Sequence, residues 1–306
     1  MIRIAAIAAA AYLAAAAPAA AQDIEVERQP IELKNLEKGK QALDPARGYI
    51  FLSAPGRLNA MFLKTPDADD IAAFEIEWRE EYEKAQAKYE KRMASYMSKA
   101  AKGRPTGKKP EEVSEETFSI GQLETRLLFA LGPQYVFDKG KDASGEKDYQ
   151  YLHEVDPGTY TYYGPVMVDP SAGAFGSCYC MGSFKFEVKA GAITSLGDFL
   201  TESWADDAAM KKTSVFFEAD PERVQKPTDW SVPASLDALP SVKADLRAAG
   251  KINNFYRVTI MRSPPIPGVL RYERDVVIDV KAEAEAETAK TGEAGTAQEE
   301  ISPTLQ

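Results

Sequence analysis

The sequence predicts a mainly-β fold, an antiparallel β-sandwich with one long inserted α-helix and a disordered acidic tail. Three observations predict it. Between Asp148 and Phe199, short β-rich runs alternate with turn residues. From Asp67 to Lys102 the apolar period changes from two to that of a helix. Beyond Lys281 the chain carries no aromatic residue and has almost nothing to bury.

The first 21 residues read as a leader. Met1-Ile2-Arg3 supplies a positive start, Ile4 to Ala17 an apolar region, and Ala19-Ala20-Ala21 a small-residue cleavage site before Gln22. The expectation is an exported chain, periplasmic or secreted, with no transmembrane segment after signal cleavage. The net charge is −10, and losing Arg3 makes the remainder more acidic still. Such a chain gains nothing from phosphate neutralisation, which disfavours nucleic acid as a partner. Residues 22–46 are polar and predict an extended lead-in. A β-sandwich is expected over 47–200, beginning with GYIFLSA (48–54) and LNAMFLKT (58–65). Pro55-Gly56-Arg57 between these runs suits a hairpin.

The helical insertion, 67–102, places Ile71, Phe74, Trp78, Tyr82, Ala85, Tyr89, Met93 and Tyr96 at spacings of 3, 4 and 4. Thr65 or Asp67 can cap its start, and Gly103 and Pro105 end it. Early acids and late lysines match the helix dipole. A basic cluster follows at Lys99, Lys102, Arg104, Lys108 and Lys109. It suits either a solvated loop or a surface for an anionic envelope polymer or lipid headgroups.

Strand-like runs resume at 123–131 and 134–137, and DYQYLHEV, TYTYYG and SCYCMGSFKFEV follow, with Asp156-Pro157-Gly158 as a tight turn. Over 201–280 a C-terminal α+β extension is expected to pack on the sandwich. It should hold a short helix and a strand at 203–219, a helix over VKADLRAA capped by Ser241, and strands at 254–262 and 276–280. The acidic tail, 281–306, predicts disorder.

Candidates for chemistry are few. Cys178 and Cys180 read as one strand face shared with Phe184, Phe186 and Val188. That pattern suits buried core thiols, a local bridge made possible by a bulge at Gly182, or a thiol-disulfide redox pair. His153 is the single histidine and alternates in register with Tyr149, Tyr151 and Val155, which suits a packed strand residue. No motif for nucleotide, metal or serine-nucleophile chemistry is present, so no cofactor and no metal are expected. Tyr149, Tyr151, Tyr160, Tyr162 and Tyr163 can be cross-strand core pairs or, if exposed, a stacking surface for sugars or a partner. Trp78 and Tyr82 on the helix join them as candidate binding residues.

The order PGTY (157–160), a strand bearing glycine and cysteine, then FKFEVKAGAITSLGDF (184–199) resembles a group of uncharacterised exported β-sandwich domains of Gram-negative envelopes. Their shared signature is PGxY … FxVxxGxxxxLGDF, with Ser195 here standing where tyrosine is common. The resemblance covers about residues 148–200. It implies a sandwich fold and an envelope compartment, and carries over no catalytic residue. Together these readings predict a non-enzymatic binding or structural module whose partner is an envelope protein or polysaccharide.

Overall fold

A computed structural model describes residues 30–104, 107–132, 136–141, 147–169, 171–202 and 228–296. The leader and the elements expected at 203–219 lie outside the described residues.

The protein is mostly β, with several antiparallel sheets and one long helix. Within the described part of the expected lead-in, residues 30–46, a short helix α1 (Leu33–Glu37) forms, because Leu33 and Leu36 pack beside buried Ile31. Next come β1 (Gly48–Ala54), β2 (Ala60–Lys64) and the long helix α2 (Ala68–Ala101). The run at 123–131 divides into a single turn, α3 (Leu123–Arg126), and β3 (Leu128–Leu131). The central stretch supplies β4 (Val136–Lys141), β5 (Lys147–Val155), β6 (Gly158–Gly164), β7 (Val166–Asp169) and β8 (Gly173–Cys178). After it run β9 (Ser183–Val188), β10 (Ile193–Gly197) and α4 (Phe199–Glu202). The C-terminal part holds β11 (Ser241–Lys243), β12 (Arg247–Ala249), β13 (Thr259–Ile260), β14 (Leu270–Glu273), β15 (Val276–Asp279) and α5 (Val280–Thr296).

One five-stranded sheet has the order β11-β10-β1-β5-β4, and a second has β12-β9-β6-β2-β3. Smaller sheets are β13-β8-β7 and β14-β15. Pairing is antiparallel except at β1–β10, β10–β11 and β8–β13, which are parallel. Residues of both large sheets join one core cluster: Ile50, Leu52 and Tyr151 from the first, Phe62, Tyr160 and Phe186 from the second. The opposite face of the first sheet buries Tyr49, Phe51 and Leu152 with α1. The opposite face of the second buries Met61, Leu63 and Tyr163 with both cysteines. Burial on two faces is why GYIFLSA and AMFLK are continuous apolar runs rather than alternating ones.

Several expectations are corrected. β1 and β2 are not a hairpin, since β1 pairs with β5 and β10 while β2 pairs with β3 and β6. Pro55-Gly56-Arg57 is a corner between sheets, and the turn from β5 to β6 is another. VKADLRAA is no helix. Ala244, Leu246 and Ala248 are buried at a spacing of two, and β11 and β12 each complete one large sheet beside β10 and β9. The run at 254–262 keeps only β13 as strand. Asn254 folds the rest into a turn, donating to Val258 O (2.7 Å) and accepting from Val258 N (3.1 Å).

Of the tail expected to be disordered after Lys281, residues 297–306 lie outside the described residues, and the described part is helix α5, to Thr296. The premise of that expectation holds, since Ala282 to Thr288 are all exposed. Charge, rather than burial, fastens the first turns: Arg271 meets Glu283 (2.9 Å), Arg247 meets Glu285 (2.7 Å), and Lys281 meets Asp245. Alanine and glutamate then favour helix on their own account. Among the described residues, no helix is long and apolar enough to cross a membrane.

Candidate functional site

The base of α2 is set by charge. Lys64 closes β2 as a buried residue and sends its ammonium to Asp67 (2.6 Å) and Asp70 (2.5 Å). Asp67 is the N-cap, accepting from the backbone N–H of Asp69 and Asp70 at 2.9 Å each, while Asp70 accepts from Asp67 N at 3.0 Å. This reciprocal arrangement satisfies the free donors of the first turn. Burial disfavours the Lys64 charge, but its two carboxylate partners outweigh burial and raise its pKa. The hydrogen bond from Lys64, with those from the helix backbone, holds Asp67 below the usual carboxylate range.

Leu63 pairs with Leu128, and Lys64 N donates to Leu127 O at 3.0 Å. The chain therefore leaves the sheet after β2 and re-enters it at the adjacent strand end. Everything between is an arm inserted into one strand pair.

No residue of the 34-residue α2 is fully buried. Its aromatic stripe is covered by its own return segment. Trp78 and Tyr82 stack in parallel with centroids 5.2 Å apart, and Phe118 closes on them at 5.8 and 5.5 Å. Arg126 pairs with Glu77, lies 5.0 Å over the Phe74 ring and donates to Ile120 O at 3.0 Å. These contacts pin the first half of α2 and bring residues 107–113 back beside the second half.

There the two segments leave a groove of about 920 Å³. Tyr89 and Tyr96 line it from the helix, with Pro110 and Val113 from the return segment. Its basic lining is Lys88, Lys91, Arg92, Lys99, Lys108 and Lys109, against the single acid Glu111, which is paired with Lys108. The setting is a helix divided by charge. From Asp69 to Glu83 there are seven acidic residues and one basic, and from Lys84 to Lys109 nine basic and one acidic.

The structure disperses the other candidates. Tyr151, Tyr160, Tyr162 and Tyr163 are interior residues, which corrects the reading of an exposed tyrosine surface. Their hydroxyls pin backbone instead. Tyr151 accepts from Leu58 N (2.8 Å) and donates to Gly56 O (3.2 Å), Tyr160 donates to Asp156 O (2.6 Å), and Tyr163 accepts from Phe255 N (2.9 Å). Burial pushes the pKa of Tyr162 well above the usual phenol value. Tyr149 is half-buried against the shared core, and Trp78 and Tyr82 are half-buried under Phe118. His153 is buried and stacks on Phe129 with centroids 4.6 Å apart.

Cys178 and Cys180 are bonded to each other, with Cα atoms 5.1 Å apart. That spacing is shorter than a regular strand allows, because the strand ends at Cys178 and turns before β9. Gly182, at φ +140°, completes the turn where a Cβ would lie 2.9 Å from the Tyr272 ring. The bend breaks the period of two. The cystine therefore packs with Met61 and Tyr163, while Phe184, Phe186 and Val188 face the other cluster. Both sulfur-bearing residues are at most 3 % exposed. The reading of free core thiols is corrected in its chemistry but not in its burial.

Sequence reasoning missed Lys88, Lys91, Arg92, Tyr89 and Tyr96 as a group. The signal was present in the switch of charge sign at Lys84. No family model, curated protein or solved structure matches this chain.

Proposed function

We propose that this chain is a non-enzymatic binding or structural module of the cell envelope, exported to the periplasm or secreted. Its body is a β-sandwich, and α2 with its return segment presents the contact surface to an envelope protein or polysaccharide. The observation that carries this reading is the arm itself. A 34-residue helix without a buried residue, inserted between paired strands β2 and β3, contributes little to the core yet holds a groove. The two large sheets sharing one core cluster support the sandwich, and the N-terminal leader supports export.

The thiol-disulfide alternative finds less support. Exchange requires a thiolate to reach a sulfur from outside, and the Cys178–Cys180 bridge is closed off by Tyr163 and the segment from Ile252 to Val258. The glycan alternative on exposed tyrosines loses four of its five sheet residues to the interior.

Excision tests the favoured reading. Replacing residues 66–126 by a two-residue turn joins β2 to β3 directly. The variant is expected to keep a cooperative unfolding transition and to lose co-fractionation with the cell envelope. Unchanged co-fractionation of a folded variant contradicts the reading.

A further inference from the structure

We infer that the groove on the outer half of α2 binds a linear acidic polysaccharide, a glycan bearing carboxylate, phosphate or sulfate groups. This rests on the arm being the contact surface, as proposed above, and names the ligand it takes.

Charge selects an anion. Lys88, Lys91, Arg92 and Lys99 form no ion pair among the described residues, and Lys88 and Arg92 lie one helical turn apart, where like charges repel. A polyanion relieves that repulsion. The chain as a whole is net acidic, so the attraction for anions here comes from the local concentration of basic residues on this part of the arm. Lysine outnumbers arginine five to one in the lining, which favours dispersed point contacts over bidentate clamping of a single group.

Shape selects a chain rather than a sheet of headgroups. The basic residues flank a concavity between helix and return segment, where a flat bilayer would touch only the rims. The helix also has no continuous apolar face to insert into lipid, since charged residues surround it outside the tyrosine stripe.

The aromatic lining selects sugar. Tyr89 and Tyr96 are seven residues apart, about 10.5 Å along the axis, which is about the length of two pyranose rings in an extended glycan. Half-buried phenol rings offer a flat apolar face with a polar edge, the complement of a pyranose ring with its axial C–H groups.

The test uses the mature full chain and oligomers of polygalacturonate, with heparin as a sulfated counterpart. Neutral dextran, poly-dT and anionic phospholipid vesicles are run alongside. Both acidic glycans are expected to bind, to weaken at least tenfold between 50 and 300 mM salt, as neutralising several charges requires in roughly the manner of other polyanions, and to exceed poly-dT and vesicles. The triple variant Lys88→Gln, Arg92→Gln, Lys99→Gln should lose at least tenfold in affinity at unchanged helix content, glutamine being a comparable helix former. Tyr89→Ala with Tyr96→Ala should lose threefold or more at low salt. Equal binding to poly-dT or vesicles, or indifference to the tyrosine pair, overturns the inference in favour of unselective electrostatics. Salt-sensitive self-association with no glycan binding overturns it in favour of a second copy's acidic half. If excision of the arm abolishes envelope association but neither glycan binds, the ligand is wrong and the arm's role stands.

Discussion

Tyr151 illustrates how the sheet tyrosines act. Its hydroxyl bridges Gly56 O and Leu58 N, holding the corner where the chain passes from one large sheet to the other. Tyr151→Phe removes both bonds without changing the ring and leaves a backbone donor and acceptor short of partners. The expected loss is about 1–3 kcal/mol, read as a lower midpoint in urea unfolding with an unchanged slope. The alternation of Tyr149, Tyr151 and His153 made the strand legible in sequence, but not the destination of its side chains. Alternation assigns residues to two faces and identifies the dry one only if the other is wet. Here both faces of β5 and β6 meet core clusters, so Tyr151, Tyr160, Tyr162 and Tyr163 are all interior. The cystine was illegible for a related reason. Extrapolating a period of two through Gly182 carried Cys178 and Cys180 to the wrong side of the sheet.

At the scale of elements, α2 was the most legible part of the chain. The 3, 4, 4 spacing selected the stripe that is half-buried, apart from Ile71, which is 45 % exposed. Asp67 proved to be the cap. The folded pKa of Asp67 is lowered, so its contribution is present above the unfolded value and is lost as pH falls through the folded one. The partner lysine is shifted upward, so its contribution is fully present below its unfolded value and declines only in alkali. Amide exchange at Asp69 and Asp70 is therefore expected to accelerate below the carboxylate range, after correction for intrinsic rates, while the outer turns of α2 respond little. An Asp67→Asn variant should show weakened protection already at neutral pH. Equal protection in acid and at neutrality would mean that the Lys64 anchor does not hold the helix start. β11 and β12 were misread because alanine-rich VKADLRAA has helix propensity. Two open sheet edges overrode that preference, and the buried spacing of Ala244, Leu246 and Ala248 was the competing signal.

For the whole molecule, the contrast lies between a body whose inner strands β1 and β2 are buried on both faces and an arm with no buried helical residue. The sequence revealed the insertion and its helix, but not the groove. The groove needs the return of residues 107–118, and that stretch has no periodicity of its own. Its path is set by Phe118 on Trp78 and Tyr82, and by Arg126 on Phe74 and Glu77. The charge switch at Lys84 was visible throughout and gains meaning only once a concave wall faces the basic half. The most direct measurement places a photo-crosslinking residue at Ser95, which lines the groove, and separately at Lys185, on an exposed position of β9. Cells carrying each full-length variant are irradiated intact. A discrete envelope adduct is expected from Ser95, abolished by the Lys88, Arg92, Lys99 triple substitution, and none is expected from Lys185. An adduct from Lys185 alone, or one from Ser95 that survives removal of the three charges, would contradict the arm as the working surface.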